Sequence, residues 1–246
     1  MLQRTSRVAM SSLFAAAVIG FAPVRAEAPD EARAMAAATA REIGIAAGLG
    51  TLRDRPREEI EAEFADYAAL GVRWLRTDIY WSNVQPDAPD KYDWSVIDRV
   101  VSAAQAHGLR VLPVVGTTPP WARSIPGERS APRDPSQYAA FIAAAAARYA
   151  PLGIHVWEIW NEPNLFGSWP PAPDAIAYAR LLIAASAAIR AVDPEATVLL
   201  GGLSPVVDTR PGKFISATEF LAAIYDAGAG DAFDAVAFHP YSFPRR

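Results

Sequence analysis

The sequence predicts an α/β fold, a (β/α)8 TIM barrel of which about six of the eight βα units are present. Three observations lead there. One pattern recurs along the chain, a short apolar run, a loop and a longer amphipathic stretch, and this is the repeat of βα units. The apolar runs are continuous instead of alternating, as parallel strands covered on both faces require. Segments leaving these runs are long and rich in aromatics, prolines and polar residues, whereas those returning to them are short. Function then gathers at one end, as in a barrel whose sites lie at the carboxy ends of its strands.

Taken in order, residues 1–26 have the layout of an export signal: Arg4 and Arg7, an apolar run at 8–22, and Val24-Arg25-Ala26 as a small-residue cleavage site. Cleavage after Ala26 makes the mature chain begin at Glu27 and places it in the periplasm or outside the cell. The apolar run is short for a membrane span of roughly 20 residues; an uncleaved anchor is the alternative, and no stable membrane insertion is expected. An Ala-rich helical lead-in occupies 27–42, and the barrel domain 43–246. Strands are expected at 43–48, 72–79, 109–116, 154–160, 197–202 and 235–238, with helices at 57–70, 94–107, 136–149, 174–191 and 217–227 between them. Asp93, Asp134 before Pro135, and Asp174 mark helix starts; Gly71, Gly108, Gly153 and Gly228 mark helix ends. A doubly wound open sheet is the rival architecture. It normally carries a Gly-rich phosphate turn after its first strand, and Ala46-Ala47-Gly48-Leu49-Gly50 lacks the third glycine and an immediate helix.

Composition narrows the function. With 23 Lys and Arg against 27 Asp and Glu, the net charge is −4, so no basic field exists for nucleic acid and a neutral partner suits the protein better. The absence of cysteine leaves an exported chain to rely on core packing instead of disulfides. No Cys cluster and only three His, at 107, 155 and 239, argue against a metal site, and no cofactor is expected. The two lysines, Lys91 and Lys213, lie off the predicted strands, which disfavours a Schiff-base lyase or aldolase on the same fold.

Residues 154–164 read Ile-His-Val-Trp-Glu-Ile-Trp-Asn-Glu-Pro-Asn: an apolar, aromatic strand running into Asn161-Glu162. A carboxyl at the carboxy end of a buried parallel strand is costly unless it is used. The fourth-strand Trp160-Asn161-Glu162-Pro163-Asn164 and the sixth-strand Phe238-His239-Pro240-Tyr241 are specific together, and Tyr92-Asp93-Trp94-Ser95-Val96-Ile97-Asp98 and Pro119-Pro120-Trp121-Ala122 support them. In these stretches residues 43–241 resemble glycoside hydrolase clan A, close to families 39 and 5, including cellulase- and xylosidase-type enzymes.

The resemblance implies a carbohydrate substrate and retaining hydrolysis of O-glycosidic bonds, with Glu162 as the general acid/base and a covalent glycosyl-enzyme between two displacements. Read alone, Glu162 could be a surface residue beside a turn proline. Asn161 is placed to bond the substrate 2-hydroxyl, or else to cap the turn before Pro163. Arg76 and Asp78 share a face of the second strand. In the resembled clan an Arg there holds the nucleophile ionised, while the alternative is an internal ion pair with Asp78 or Glu158. Glu158 reads as a paired interior charge, one layer below Glu162. Trp81, Trp121 and Trp169, each in a strand-to-helix segment, are candidate sugar platforms, though any one of them could be loop packing. In the clan the residues matching His239 and Tyr241 line the cleaved-sugar subsite and touch the nucleophile, respectively.

One departure stands out. The clan nucleophile is a Glu at the end of strand seven, and the sequence reaches Arg246 just past strand six. Glu195 lies at the wrong end of the barrel and Glu219 starts a helix. The expectation is a fragment or truncated product whose nucleophile lies past its carboxy terminus. A non-catalytic carbohydrate-binding remnant is the alternative function.

Overall fold

A computed structural model describes residues 42–209 and 212–241. The export signal, its cleavage site and the lead-in through residue 41 lie outside these residues. Within them, six strands form one parallel sheet: β1 Gly44–Ala46, β2 Trp74–Tyr80, β3 Arg110–Gly116, β4 Val156–Asn161, β5 Thr197–Leu203 and β6 Ala235–Phe238. Each strand pairs with its neighbours in the chain, giving the order β1-β2-β3-β4-β5-β6. The helices alternate with the strands: α1 Leu49–Leu52, α2 Arg57–Ala69, α3 Trp81–Val84, α4 Ser95–Ala106, α5 Pro135–Tyr149, α6 Ala175–Val192 and α7 Ala217–Asp226. This is the predicted partial (β/α)8 barrel, curled into a half-barrel.

Helix boundaries follow the punctuation in the sequence. Asp134 and Asp174 accept hydrogen bonds from the Ser136 and Ala177 amides and satisfy donors that a helix start leaves unpaired. Gly71, Gly108, Gly153 and Gly228 all adopt positive φ, the left-handed turn that glycine makes at least cost. The sequence pattern did not anticipate the one-turn helices α1 and α3, which occupy segments expected to be loops. Four residues are too few to display a 3.6-residue period.

The helix-facing side of the sheet is fully buried at Leu75, Ile79, Trp157, Ile159, Val198 and Leu200. Two tyrosines tie the covering helices to the strands. Tyr138 of α5 donates to the Val115 carbonyl at 2.7 Å, and Tyr178 of α6 donates to the Ile159 carbonyl at 2.7 Å while accepting from the Gly201 amide. Gly201 is obligatory there, because a Cβ would overlap the Ile159 and Trp160 carbonyls. Helix α6 is long and apolar enough to cross a membrane by length and composition. Here Tyr178, Leu181, Leu182, Ala185 and Ile189 are buried, as in the core helix of a layered fold.

The opposite face of β2 carries Arg76, Asp78 and Tyr80, each partly exposed, in strict alternation with the buried residues. Strand register aligns Asp78 with Val114, Val114 with Glu158, and Glu158 with Leu199 across four strands. Polar groups therefore meet on the concave side near the carboxy ends of the strands.

Candidate active site

At the floor of the concave face lies one ion pair. Glu158 is wholly buried, and Arg76 grips it with two parallel hydrogen bonds, Nε to Oε2 at 2.8 Å and Nη2 to Oε1 at 2.7 Å. The Gly202 amide adds a third bond to Oε1 at 2.8 Å. A buried carboxylate needs such compensation. Burial alone would lower the Arg76 pKa, but Glu158, with help from Asp78 and Tyr241, outweighs it, and the guanidinium is held more firmly charged than usual. Of the two pairings open to Arg76, the structure selects Glu158. Asp78 instead accepts from the Leu49 amide and the Tyr80 hydroxyl, both at 3.0 Å. Burial, followed by the Asp78 charge, pushes the Tyr80 phenol up to about 12, so it stays a donor.

Arg76 also orients Asn161. Its Nη2 donates to Asn161 Oδ1 at 2.8 Å, which assigns the amide oxygen inward and leaves the Nδ2 donor for the cleft that Asn161 lines. That cleft, about 250 Å³, is bounded also by Asp78, Tyr80, Thr117, Arg129 and Trp160.

Glu162 follows at the end of β4 in a left-handed backbone, φ 50°, and Trp160 and Thr117 share the left-handed region at 70° and 62°. For non-glycine residues this conformation is uncommon, and it clusters at sites whose surroundings enforce it. The enforcement is visible. The Glu162 amide donates to the Gly202 carbonyl at 3.0 Å, the Leu165 amide returns to the Glu162 carbonyl, and the carboxylate Oε1 stands 2.8 Å from His239 Nδ1. Side-chain exposures of 17% for Glu162 and 15% for His239 keep the pair reachable but largely desolvated. Tyr241 is exposed and sets its ring edge-on to His239 at 5.8 Å. Glu162, Asn161, Arg76, His239 and Tyr241 therefore gather at one end of the sheet.

The tryptophans divide differently. Trp81 is wholly buried: the one-turn helix α3 turns it inward, where it stacks on Phe141 and donates to Gln85. Trp169, 3% exposed, is held edge-on between Trp160 and Tyr178. A buried ring offers no face to a pyranose, so neither is a cleft platform. Trp121 is partly exposed, but it borders a separate depression beside α5. Tyr80, partly exposed, supplies the cleft's accessible ring, and Trp160, only 2% exposed, borders it from within the core.

Four contributors escaped the sequence reading. Gly202 anchors Glu158 and Glu162 through its backbone, and a Cβ there would overlap the His239 ring at Nε2. The Gly201-Gly202 pair inside a strand was the available signal, since strand glycine marks close approach. Asn164 is fully buried and staples the loop after β4 to Ser204 and Ile215. Glu128 and Arg129 come from the long segment between β3 and α5 and line the cleft lip. Among the described residues, no three His, Asp or Glu side chains gather as a metal ion would need.

The model of one family, Cellulase (glycosyl hydrolase family 5), matches residues 44–242. Among solved structures, the chain is similar to a monomeric beta-xylosidase from Caulobacter crescentus CB15, at 26% identity and TM-score 0.65, over 81% of this chain and 42% of that one. It is also similar to a family 39 glycoside hydrolase from Bacteroides cellulosilyticus WH2, at 25% identity and TM-score 0.64, over 82% and 39% of the respective chains. The exo-beta-1,4-mannosidase Op5Man5 from Opitutaceae bacterium strain TAV5 shares 25% identity with a TM-score of 0.53, over 68% and 33%. The chain thus spans less than half the length of each of these proteins. No curated protein matches it.

Proposed function

The chain belongs to the Cellulase family, glycosyl hydrolase family 5, and on that premise we propose that it provides the acid/base half of a retaining glycosidase acting on a neutral poly- or oligosaccharide. The observation that carries this reading is Glu162, a strand-end carboxyl in an enforced left-handed backbone, held at 2.8 Å by His239 and adjoining the cleft through Asn161. Glu162 protonates the departing glycosidic oxygen and then deprotonates the water that releases the sugar. The Asn161 Nδ2 donor reaches the 2-hydroxyl, a bond that strengthens as positive charge builds on the ring. Arg76, fixed by Glu158, aims that amide.

The same reading takes the nucleophile carboxylate from a seventh strand, outside the six described. The deciding experiment compares wild type with Glu162→Gln in a chain extended by two βα units bearing a strand-end Glu. Turnover of glycosides with poor leaving groups should vanish in the variant, and aryl glycosides with activated leaving groups should lose less, because Gln keeps the shape but donates no acidic proton. Ordinary polysaccharide hydrolysis persisting in the Gln variant removes Glu162 from the acid role. We propose export as well: amino-terminal sequencing of secreted material should begin at Glu27, and a membrane-bound form starting at Met1 would replace secretion by anchoring.

A further inference from the structure

A second depression, about 210 Å³, lies beside α5 and shares no lining residue with the cleft. Its walls are aromatic. Tyr92 is 42% exposed and stacks on Trp94 at 5.6 Å and 9°; Trp94 stacks on Phe141 at 5.6 Å and 8°. The near-parallel rings run outward from the core and end at Tyr92. Trp121, which also lines it, is anchored edge-on to Trp81 at 5.4 Å, and its indole N–H is already satisfied by the Gln85 carbonyl at 2.8 Å. What remains available on Trp121 is apolar ring surface. Gln137 and the exposed Ser136 add polar groups at its rim.

Flat rings with a few convergent polar groups suit a ligand that is apolar on its faces and hydroxylated at its rim. We propose that this depression is a second, non-catalytic saccharide site that takes a single ring of a neutral polysaccharide against Tyr92 and Trp121. Its volume, below the roughly 300–1,000 Å³ of enclosed ligand pockets, sets that limit of one ring. The inference rests on the carbohydrate reading above and extends it. The segment between β3 and α5 gives Arg129 to the cleft and Trp121 to the depression, so the two sites flank one loop. A polysaccharide held at the second site raises the effective sugar concentration at the first.

Affinity electrophoresis of the full chain through gels containing xylan, glucomannan or hydroxyethyl cellulose tests this. Tyr92→Ala removes the end ring, and Ala140→Trp fills the depression from an exposed position on α5. Both should weaken retardation in at least one gel by roughly fivefold. Tyr225→Ala, an exposed aromatic on α7, should change nothing. Retardation lost in the cleft-lip variant Arg129→Ala but kept in Tyr92→Ala and Ala140→Trp would overturn the second site and leave the proposed function standing. Equal weakening by Tyr225→Ala would reduce the effect to general stickiness and overturn it too. Absence of retardation for the wild type in all three gels would defeat both the inference and the carbohydrate reading.

Discussion

Glu158 and Gly202 do not line the cleft, yet they set the positions of the groups that do. Removing one partner of a buried pair leaves the other charged and alone, so Glu158→Ala should destabilise by about 3–5 kcal/mol, read from the urea midpoint at unchanged slope. Gly202→Ala should do harm of another kind, because its Cβ would occupy the imidazole's place. We expect it to displace His239 from Glu162 and to lose stability by about 1–3 kcal/mol through overpacking. His239→Ala in the same chain should recover most of that loss, and a double-mutant cycle measures the recovery. Additive losses would mean that Gly202 acts through the strand alone. These residues also mark what could be read from the sequence. Glu162, Asn161 and His239 were legible because strand-end polar residues stand out against apolar runs. Trp81 and Trp169 were misplaced because position along a loop says nothing about depth: a one-turn helix too short to leave a period turned Trp81 into the core. Gly202 has no chemistry of its own, so only the neighbour that fills its missing side chain reveals its role.

At the scale of elements, a charged link joins α4 to α5 in the outer layer. Asp98 of α4 accepts from Arg148 and Tyr149 of α5. Burial works to raise the Asp98 pKa, but the Arg148 and Tyr149 hydrogen bonds outweigh it and hold the carboxyl below its ordinary 3.8. A carboxyl depressed in the folded state contributes stability that is fully present above pH 3.8 and lost as pH falls through the depressed value. Wild type should therefore exceed Asp98→Asn in stability at neutral pH, and the gap should narrow as pH falls below 3.8 in acid titrations of the thermal midpoint. A gap that stayed constant to pH 2 would assign the difference to packing. Helix α6 depends on its cap. Asp174→Ala leaves the Ala177 amide without its acceptor and should cost about 1 kcal/mol, seen as a lower urea midpoint. Caps, glycine stops and the continuous apolar runs made five helices and six strands legible to within a few residues. The sheet's curl and the identity of its concave face came only with the register, which links residues too distant for any local pattern.

Across the whole molecule, β1 and β6 are the edges of the described sheet, and β6 shows Val236 and Phe238 to solvent at 40% and 50% exposure. Unpaired parallel edges beside exposed apolar side chains invite pairing with another chain. Light scattering after gel filtration should find concentration-dependent association of the 246-residue chain, and Phe238→Lys should reduce it without shifting the thermal midpoint by more than a few degrees. A monodisperse wild type at high concentration would show that these edges are covered. The unbroken order of the sheet also bears on how the protein comes into being. Because each strand pairs only with its predecessor and its successor, a chain emerging from the ribosome can add every new strand to a finished template. Arg76 waits 82 residues for Glu158, and Glu162 waits a further 77 for His239. A nascent chain halted just short of β6 would already hold its barrel floor, its cleft and Glu162, yet lack the imidazole that holds the Glu162 side chain. That contact forms late in synthesis, in one docking step, once nearly all of the described sheet has been built.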